Sequence, residues 1–161
     1  MTLFEQLRER YTDFDAAWAE QMTLLISAAE NMTSGLGGYL GLPTPCWHHE
    51  DGKAGDKYIR LGKGSGEDFE ETQNLTGSQG VVSFSLALVV DSPSAHRERF
   101  TFVFEYDLKF CETGYLFQIK LIGDVVVSAA NARAGRFEQV YNAMLEALHQ
   151  TLDPSRILIQ K

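Results

Sequence analysis

The chain is poor in several residue types whose abundance marks common functional classes of protein. Its 161 residues include two cysteines, four prolines, and 14 basic residues against 22 acidic ones. Cys46 and Cys111 are too few for a disulfide framework, so we expect reduced thiols and a cytoplasmic location. The formal net charge of −8 provides no basic stripe for phosphates, and we therefore expect no direct binding of DNA or RNA.

Long apolar runs are also missing. Glu5, Arg8, Glu9 and Arg10 interrupt the start of the chain, so we expect no secretory signal peptide. No stretch approaches the roughly 18 apolar residues that a membrane-spanning helix requires, and we expect no membrane partner. The length and the 44% hydrophobic content are those of a folded protein, and they predict a single domain over residues 1–161. The helix and strand patterns described below make this domain α+β.

One short loop is rich in potential metal ligands. Cys46, His48 and His49 are followed by two carboxylates, Glu50 and Asp51. A zinc site usually needs a second pair of ligands further along the chain, and no His-Glu-x-x-His or paired Cys-x-x-Cys motif is present. We therefore expect no cofactor and no metal, with Cys46, His48 and His49 as weak candidate ligands.

The most regular pattern in the chain covers residues 99–122. Large apolar side chains alternate there with polar ones, which predicts two half-buried strands joined by a hairpin. Pairing Phe110 with Tyr115 leaves residues 111–114 as a four-residue loop, with glycine last. A slip of one residue would move every aromatic side chain to the other face, so the pattern favours this register strongly.

The same register predicts further pairs. It places Phe104 opposite Leu121 and, on the reverse face, Glu105 opposite Lys120, which have opposite charges. Gly123 and Asp124 then form a tight two-residue hairpin that leads into another strand. With a strand at residues 80–91 before this hairpin, the short connections predict an antiparallel meander of about five strands.

Two amphipathic helices bracket this sheet in the sequence. The first carries one apolar stripe, in which the spacing is three or four residues: Phe4, Leu7, Tyr11, Phe14, Trp18, Met22, Leu25 and Ala29. We expect it to end at the glycines that begin at Gly35, and Thr12 with Asp15 could start a second helix near residue 12. The second helix covers residues 135–152. Because the aromatic sheet face needs a cover, both helices should pack on it.

The segment between the first helix and the sheet, residues 35–80, holds eleven of the fourteen glycines. Its hydrophobic pattern is weak, which indicates irregular structure with short strands. One strand is expected at residues 57–61 and a poorer one near residues 69–75.

No catalytic constellation stands out, and we expect a binding protein rather than an enzyme. The leading hypothesis is a small acidic adaptor that acts through protein–protein contacts and associates with itself as a homodimer. Candidate interface positions are the apolar residues of the polar sheet face and of the C-terminal tail: Val89, Val103, Leu116, Ile122, Ile157, Leu158 and Ile159.

Two alternatives stay open. The protein could inhibit a basic protein that handles nucleic acids, through an acidic patch that joins the first helix to four nearby carboxylates: Glu67, Asp68, Glu70 and Glu71. It could instead be a small-ligand carrier, or a metal-dependent enzyme that uses the loop from Cys46 to Asp51.

Overall fold

The structure is a computed structural model that describes residues 1–48, 52–92 and 99–157. Its helices are α1 (Leu3–Leu40), α2 (Ala129–Arg133) and α3 (Glu138–Thr151), with short 3-10 helices at Gly66–Asp68 and Pro154–Arg156. Its strands are β1 (Cys46–His48), β2 (Ala54–Lys57), β3 (Ile59–Lys63), β4 (Glu70–Glu71), β5 (Gly77–Ser78), β6 (Val81–Asp91), β7 (Arg99–Cys111), β8 (Gly114–Ile119) and β9 (Gly123–Ser128). The predicted α+β class with an antiparallel sheet is confirmed.

The main sheet has the strand order β4-β3-β6-β7-β8-β9, and β5 also pairs with β6. All of these pairings are antiparallel. The run from β6 to β9 is the predicted meander. The sheet has seven strands rather than about five. Strands β3 and β4 overlap the strands expected at residues 57–61 and 69–75, and β5 is an additional short strand. Strands β1 and β2 form a separate small hairpin.

The predicted register of the aromatic hairpin is confirmed. Phe110 pairs with Tyr115, and Cys111 pairs with Gly114, so the turn holds two residues instead of four. The ammonium nitrogen of Lys120 lies 3.4 Å from a carboxylate oxygen of Glu105.

The prediction failed at the other end of β8. Strand β8 stops at Ile119, which pairs with Gly123 across a three-residue turn. Leu121 lies in that turn with φ of 66° and is 98% exposed, so it cannot face Phe104. The backbone amide of Ile122 donates to the carbonyl oxygen of Ile119 at 3.0 Å and closes the turn.

The hydrophobic core lies between the aromatic sheet face and the helices. Phe104 and Phe117 on the sheet are almost fully buried, as are Phe137 and Met144 from the C-terminal helical region. The rings of Phe117 and Phe137 meet edge to face, with centroids 6.0 Å apart, a favourable aromatic arrangement.

Helix α1 is longer than predicted and is continuous. Its 38 residues begin with a capping box between Thr2 and Glu5. The Thr12 hydroxyl donates to the carbonyl oxygen of Arg8 at 3.0 Å, so it makes an in-helix bond instead of capping a second helix. The helix ends at Gly41 in the left-handed conformation, because glycine adopts positive φ without steric cost.

The predicted helix end at Gly35 was wrong for a packing reason. A Cβ at Gly35 would lie 2.6 Å from the Tyr141 hydroxyl oxygen, so the missing side chain lets α3 approach α1. The Tyr141 hydroxyl then donates to the Met32 carbonyl oxygen at 2.7 Å. Gly35 therefore allows close contact between the two helices and does not end α1.

The second sheet face is partly covered by the segment that leads to β6. Trp47 from β1 and Tyr58 form a small buried cluster with Val89 of β6. The guanidinium carbon of Arg99 lies 3.5 Å from the centre of the Trp47 ring, a cation–π contact. Among the described residues, no helix combines the length and apolarity that crossing a membrane would need.

Candidate protein-binding surface

Helix α1 divides into two segments with different surroundings. We call residues 3–18 the projecting segment and residues 22–40 the anchored segment. In the projecting segment residues 3–17 are all exposed, and only Trp18 is half-buried. The anchored segment contributes Leu25, Ala29 and Met32 to the core with 0% exposure. The prediction that the first helix covers the sheet therefore holds for the anchored segment and fails for the projecting one.

The projecting segment exposes an unbroken apolar face, which we call the aromatic stripe. It consists of Phe4, Leu7, Tyr11, Phe14 and Trp18, at alternating intervals of three and four residues. The first four side chains are between 61% and 68% exposed. The rings of Phe14 and Trp18 stack with centroids 6.1 Å apart. In the described part of the chain this is the largest group of exposed aromatic side chains on one element.

The sheet ends where the stripe becomes exposed. The turn between β5 and β6 lies beside Trp18, whose ring is 3.4 Å from the position that a Cβ on Gly80 would take. Met22 contacts Gly77 one turn further on. Since the helix rises about 1.5 Å per residue, the projecting segment extends roughly 24 Å beyond this support.

Charged residues of the projecting segment are sorted by face. At about 100° per residue, Glu5, Glu9 and Asp13 fall on the side opposite the stripe. Arg8 and Asp15 border the stripe on one flank. The Arg8 guanidinium carbon lies 4.6 Å from the centre of the Phe4 ring, so its charge sits at the rim of the apolar surface.

The predicted interface residues have different surroundings. Val89 is 4% exposed within its cluster and is covered by the protein's own fold. Val103, Leu116 and Ile122 are half-buried. Ile157 is 68% exposed, whereas Leu158 and Ile159 lie outside the described residues.

The four predicted acidic residues are exposed at one sheet edge. Glu67 and Asp68 lie in a 3-10 helix, and Glu70 and Glu71 form β4. Glu71 also lines a cleft of about 770 Å³ between α1 and β3, and Glu30 and Lys57 line the same cleft. One carboxylate of the first helix and one residue of this acidic group therefore line the same cleft.

Two of the three weak candidate metal ligands, Cys46 and His48, lie on β1. Cys46 is half-buried and His48 is exposed, while His49 lies outside the described residues. Within residues 1–48, 52–92 and 99–157, no three Cys, His or carboxylate side chains are grouped closely enough to hold a metal ion. Cys111 is a free cysteine at the β7–β8 turn, where hydrogen bonding to the Thr113 side chain lowers the pKa of its thiol.

A small apolar cavity lies beside the C-terminal end of α3. It has a volume of about 290 Å³ and is lined by Leu40, Leu88 and Leu148, with Asp91 and His149 among its polar residues. Ligand sites usually span roughly 300–1,000 Å³, so this cavity sits at the lower limit for a carrier.

Comparison with protein-family models, with curated proteins and with solved structures finds no match to this chain. The function is therefore inferred from the residues themselves.

Sequence reasoning identified every residue of the aromatic stripe but assigned the stripe to the core. One signal could have separated its two segments. Aromatic residues dominate positions 4–18, whereas smaller core residues such as Ala28, Ala29 and Leu36 follow. Small residues allow a helix to approach a sheet closely.

Proposed function

We propose that this protein is a non-catalytic binding protein that acts through protein–protein contacts, with the aromatic stripe as its contact surface. The supporting observation is the exposure of Phe4, Leu7, Tyr11 and Phe14, each above 60%, on one face of one helix. Soluble proteins rarely expose contiguous apolar patches of this kind unless the patch binds something. Grooves that bind an amphipathic helix contact its side chains at positions i, i+3 and i+7.

Helix stability supports the same proposal. Most helical stability in proteins comes from the tertiary packing of an amphipathic face, yet residues 3–17 of this helix are all exposed. The capping box at Thr2 and Glu5 contributes about 1 kcal/mol, which does not replace tertiary packing. A bound partner would supply that packing.

Photo-crosslinking in the native host tests the proposal. p-Benzoylphenylalanine is placed at Tyr11, within the stripe, or at Ala16, on the opposite face of the projecting segment. We expect a discrete covalent product from the Tyr11 position that is absent from the Ala16 position, with mass spectrometry naming the captured chain. Equal or absent crosslinking from both positions would contradict the proposal.

The acidic inhibitor is a second candidate, favoured by the cleft that Glu30 and Glu71 share. It requires a basic partner whose binding weakens steeply as salt is added. Replacing Glu67, Asp68, Glu70 and Glu71 together by lysine should then abolish that binding, and unchanged binding would remove this candidate.

The two unpaired thiols also support our proposal of a reducing, cytoplasmic location.

A further inference from the structure

We infer that the partner of the aromatic stripe is the aromatic stripe of a second copy of this chain, packed antiparallel to it. This inference rests on the proposed function and names the partner of that same surface. It depends on four features of α1: the spacing of its apolar residues, the area they expose, the place where the sheet stops, and the distribution of charge.

The spacing of the stripe is that of a two-helix seam. Intervals of three, four, three and four residues repeat every seven residues, which is the pattern of paired helices in coiled coils. The repeat covers Phe4, Leu7, Tyr11, Phe14 and Trp18 without interruption. The same spacing continues through Leu25 and Met32, which pack on the protein's own sheet, so the period fits a second helix without requiring one, and the choice of partner rests on the features that follow.

The exposed area fits a helix pair of ordinary size. Aromatic side chains bury about 150–250 Å² each when covered, so four large side chains at roughly 60% exposure offer on the order of 500 Å² of apolar surface per chain. A standard interface covers about 800 Å² on each partner, of which somewhat more than half is apolar. The stripe alone therefore supplies the apolar centre of such an interface.

The sheet determines the orientation. Beyond Met22 the same helix face is already packed on the protein's own sheet, with Leu25 fully buried. In a parallel pair the two helices would have to diverge at that point. In an antiparallel pair Leu7 faces Trp18 of the second copy, Tyr11 faces its Phe14, and each helix begins where the sheet of the other copy ends.

Charge complementarity agrees with this arrangement. In the antiparallel register Arg8 lies opposite Asp15 of the second copy, and the symmetric pair repeats the contact. Arg10, on the other flank, lies opposite Ala17 and has no charged neighbour across the seam. Glu5, Glu9 and Asp13 point away from the seam, so the acidic residues do not repel each other across it.

Sedimentation equilibrium of the full chain tests the association. We expect a dimer that dissociates on dilution, and a dissociation constant raised at least about 100-fold by Tyr11→Glu with Phe14→Glu, because two carboxylates enter an apolar seam. The control, Gln6→Glu with Ala16→Glu, adds the same charge to the opposite face and should leave the constant within about threefold. A monomer at all concentrations, or equal effects of both variants, would overturn the inference.

A charge swap tests the orientation. Arg8→Glu should weaken the dimer about 3- to 10-fold, and adding Asp15→Arg should restore it, since the exchanged charges meet again across the seam. Arg10→Glu is the control and should change the dissociation constant less than Arg8→Glu. A parallel pair would place Arg10 beside Asp15 instead, so an Arg10→Glu effect rescued by Asp15→Arg would overturn the antiparallel arrangement.

Failure of this inference is distinguishable from failure of the proposed function. A monomer whose Tyr11 position still crosslinks to one different protein would overturn self-association and leave the binding function in place. A monomer without stripe-dependent crosslinks would overturn both.

Discussion

The two segments of α1 share one helix and one continuous apolar face, yet their surroundings are opposite. Leu25 and Met32 in the anchored segment are fully buried, whereas Leu7 and Phe14 in the projecting segment are more than 60% exposed. The helix phase does not change between them, since both sets of residues fall on the same side at about 100° per residue. What changes is the support: the sheet lies beneath one segment and has ended before the other.

This comparison shows what an amphipathic pattern establishes. The pattern identifies which face of a helix is apolar, but it does not identify which surface covers that face. The cover therefore has to be found by changing single residues and measuring stability or association.

Truncating one leucine in each segment gives the largest expected difference in the free energy of unfolding. Leu25→Ala should lower the free energy of unfolding by about 2–5 kcal/mol, because it opens a cavity in the core. Leu7→Ala should change that free energy by less than about 0.5 kcal/mol and should instead weaken association. Urea denaturation at concentrations where the protein is monomeric measures the first effect, and sedimentation measures the second. Similar unfolding penalties for both variants would refute the division of the helix.

Tyr141, which donates a hydrogen bond to the anchored segment, predicts that the stability of the protein depends on pH. Burial, and to a lesser degree the charge of Glu138, raise the pKa of Tyr141 to about 12 from 10.0. The folded state therefore favours the neutral phenol, whose stabilisation is complete below about pH 10 and is lost as the pH rises from 10 towards 12. We expect Tyr141 to account for about 2 kcal/mol of the stability lost between pH 9 and pH 11.5, and Tyr141→Phe to remove that share of the loss. If stability falls as steeply with rising pH in Tyr141→Phe as in the unchanged protein, the neutral Tyr141 phenol does not stabilise the fold as we expect.

Two buried tyrosines offer a matched pair at neutral pH. Tyr141→Phe removes the hydrogen bond to the Met32 carbonyl and should destabilise the protein by about 1 kcal/mol. The hydroxyl of Tyr106 is buried without a hydrogen-bond partner in the described part of the chain, so Tyr106→Phe should be neutral or stabilising by about 1 kcal/mol. Urea midpoints at equal protein concentration measure both. Destabilisation by Tyr106→Phe would indicate that its hydroxyl is bonded after all.

Two glycines of α1 give the smallest expected difference in stability between variants. A Cβ on Gly38 meets no atom within 4 Å, so Gly38→Ala should stabilise by about 0.5–1 kcal/mol through helix propensity. Gly35→Ala should fail to do so, because its methyl group would displace the Tyr141 hydroxyl. Thermal denaturation of the two single variants and of Gly35→Ala in the Tyr141→Phe background measures this. Equal stabilisation by both glycine variants would contradict the packing role of Gly35.

Much of the sheet could be predicted because its signals are local. Alternation in β6, β7 and β8 determined which side chains face the core, and the pairing of Phe110 with Tyr115 follows from a short turn. Leu121 was misplaced because the alternating pattern continues past the point where pairing stops. The turn at residues 120–122, with positive φ at a leucine, carries no composition signal that marks it.

The remaining features depend on contacts between distant parts of the chain. Strand β3 pairs with β6 across a glycine-rich segment, and β1 brings Trp47 over Val89. The glycines of α1 resemble a helix stop signal because helix propensity is a local quantity, whereas the role of Gly35 is set by Tyr141, a residue about a hundred positions later. The exposure of the stripe depends likewise on where the sheet ends, which no local pattern encodes.

The hydrogen bond between Tyr141 and Met32 joins the first helix to the last one, and this has a consequence during synthesis. A ribosome delivers the whole of α1 before any strand of its sheet exists and long before α3 emerges. Strands β3, β6 and β7 pack against α1, so until they have been made the apolar residues of both segments are uncovered, including those that later enter the core. We expect nascent chains that stop before β6, at residue 81, to recruit chaperones along the entire helix, and chains completed through α3 to expose only residues 3–18.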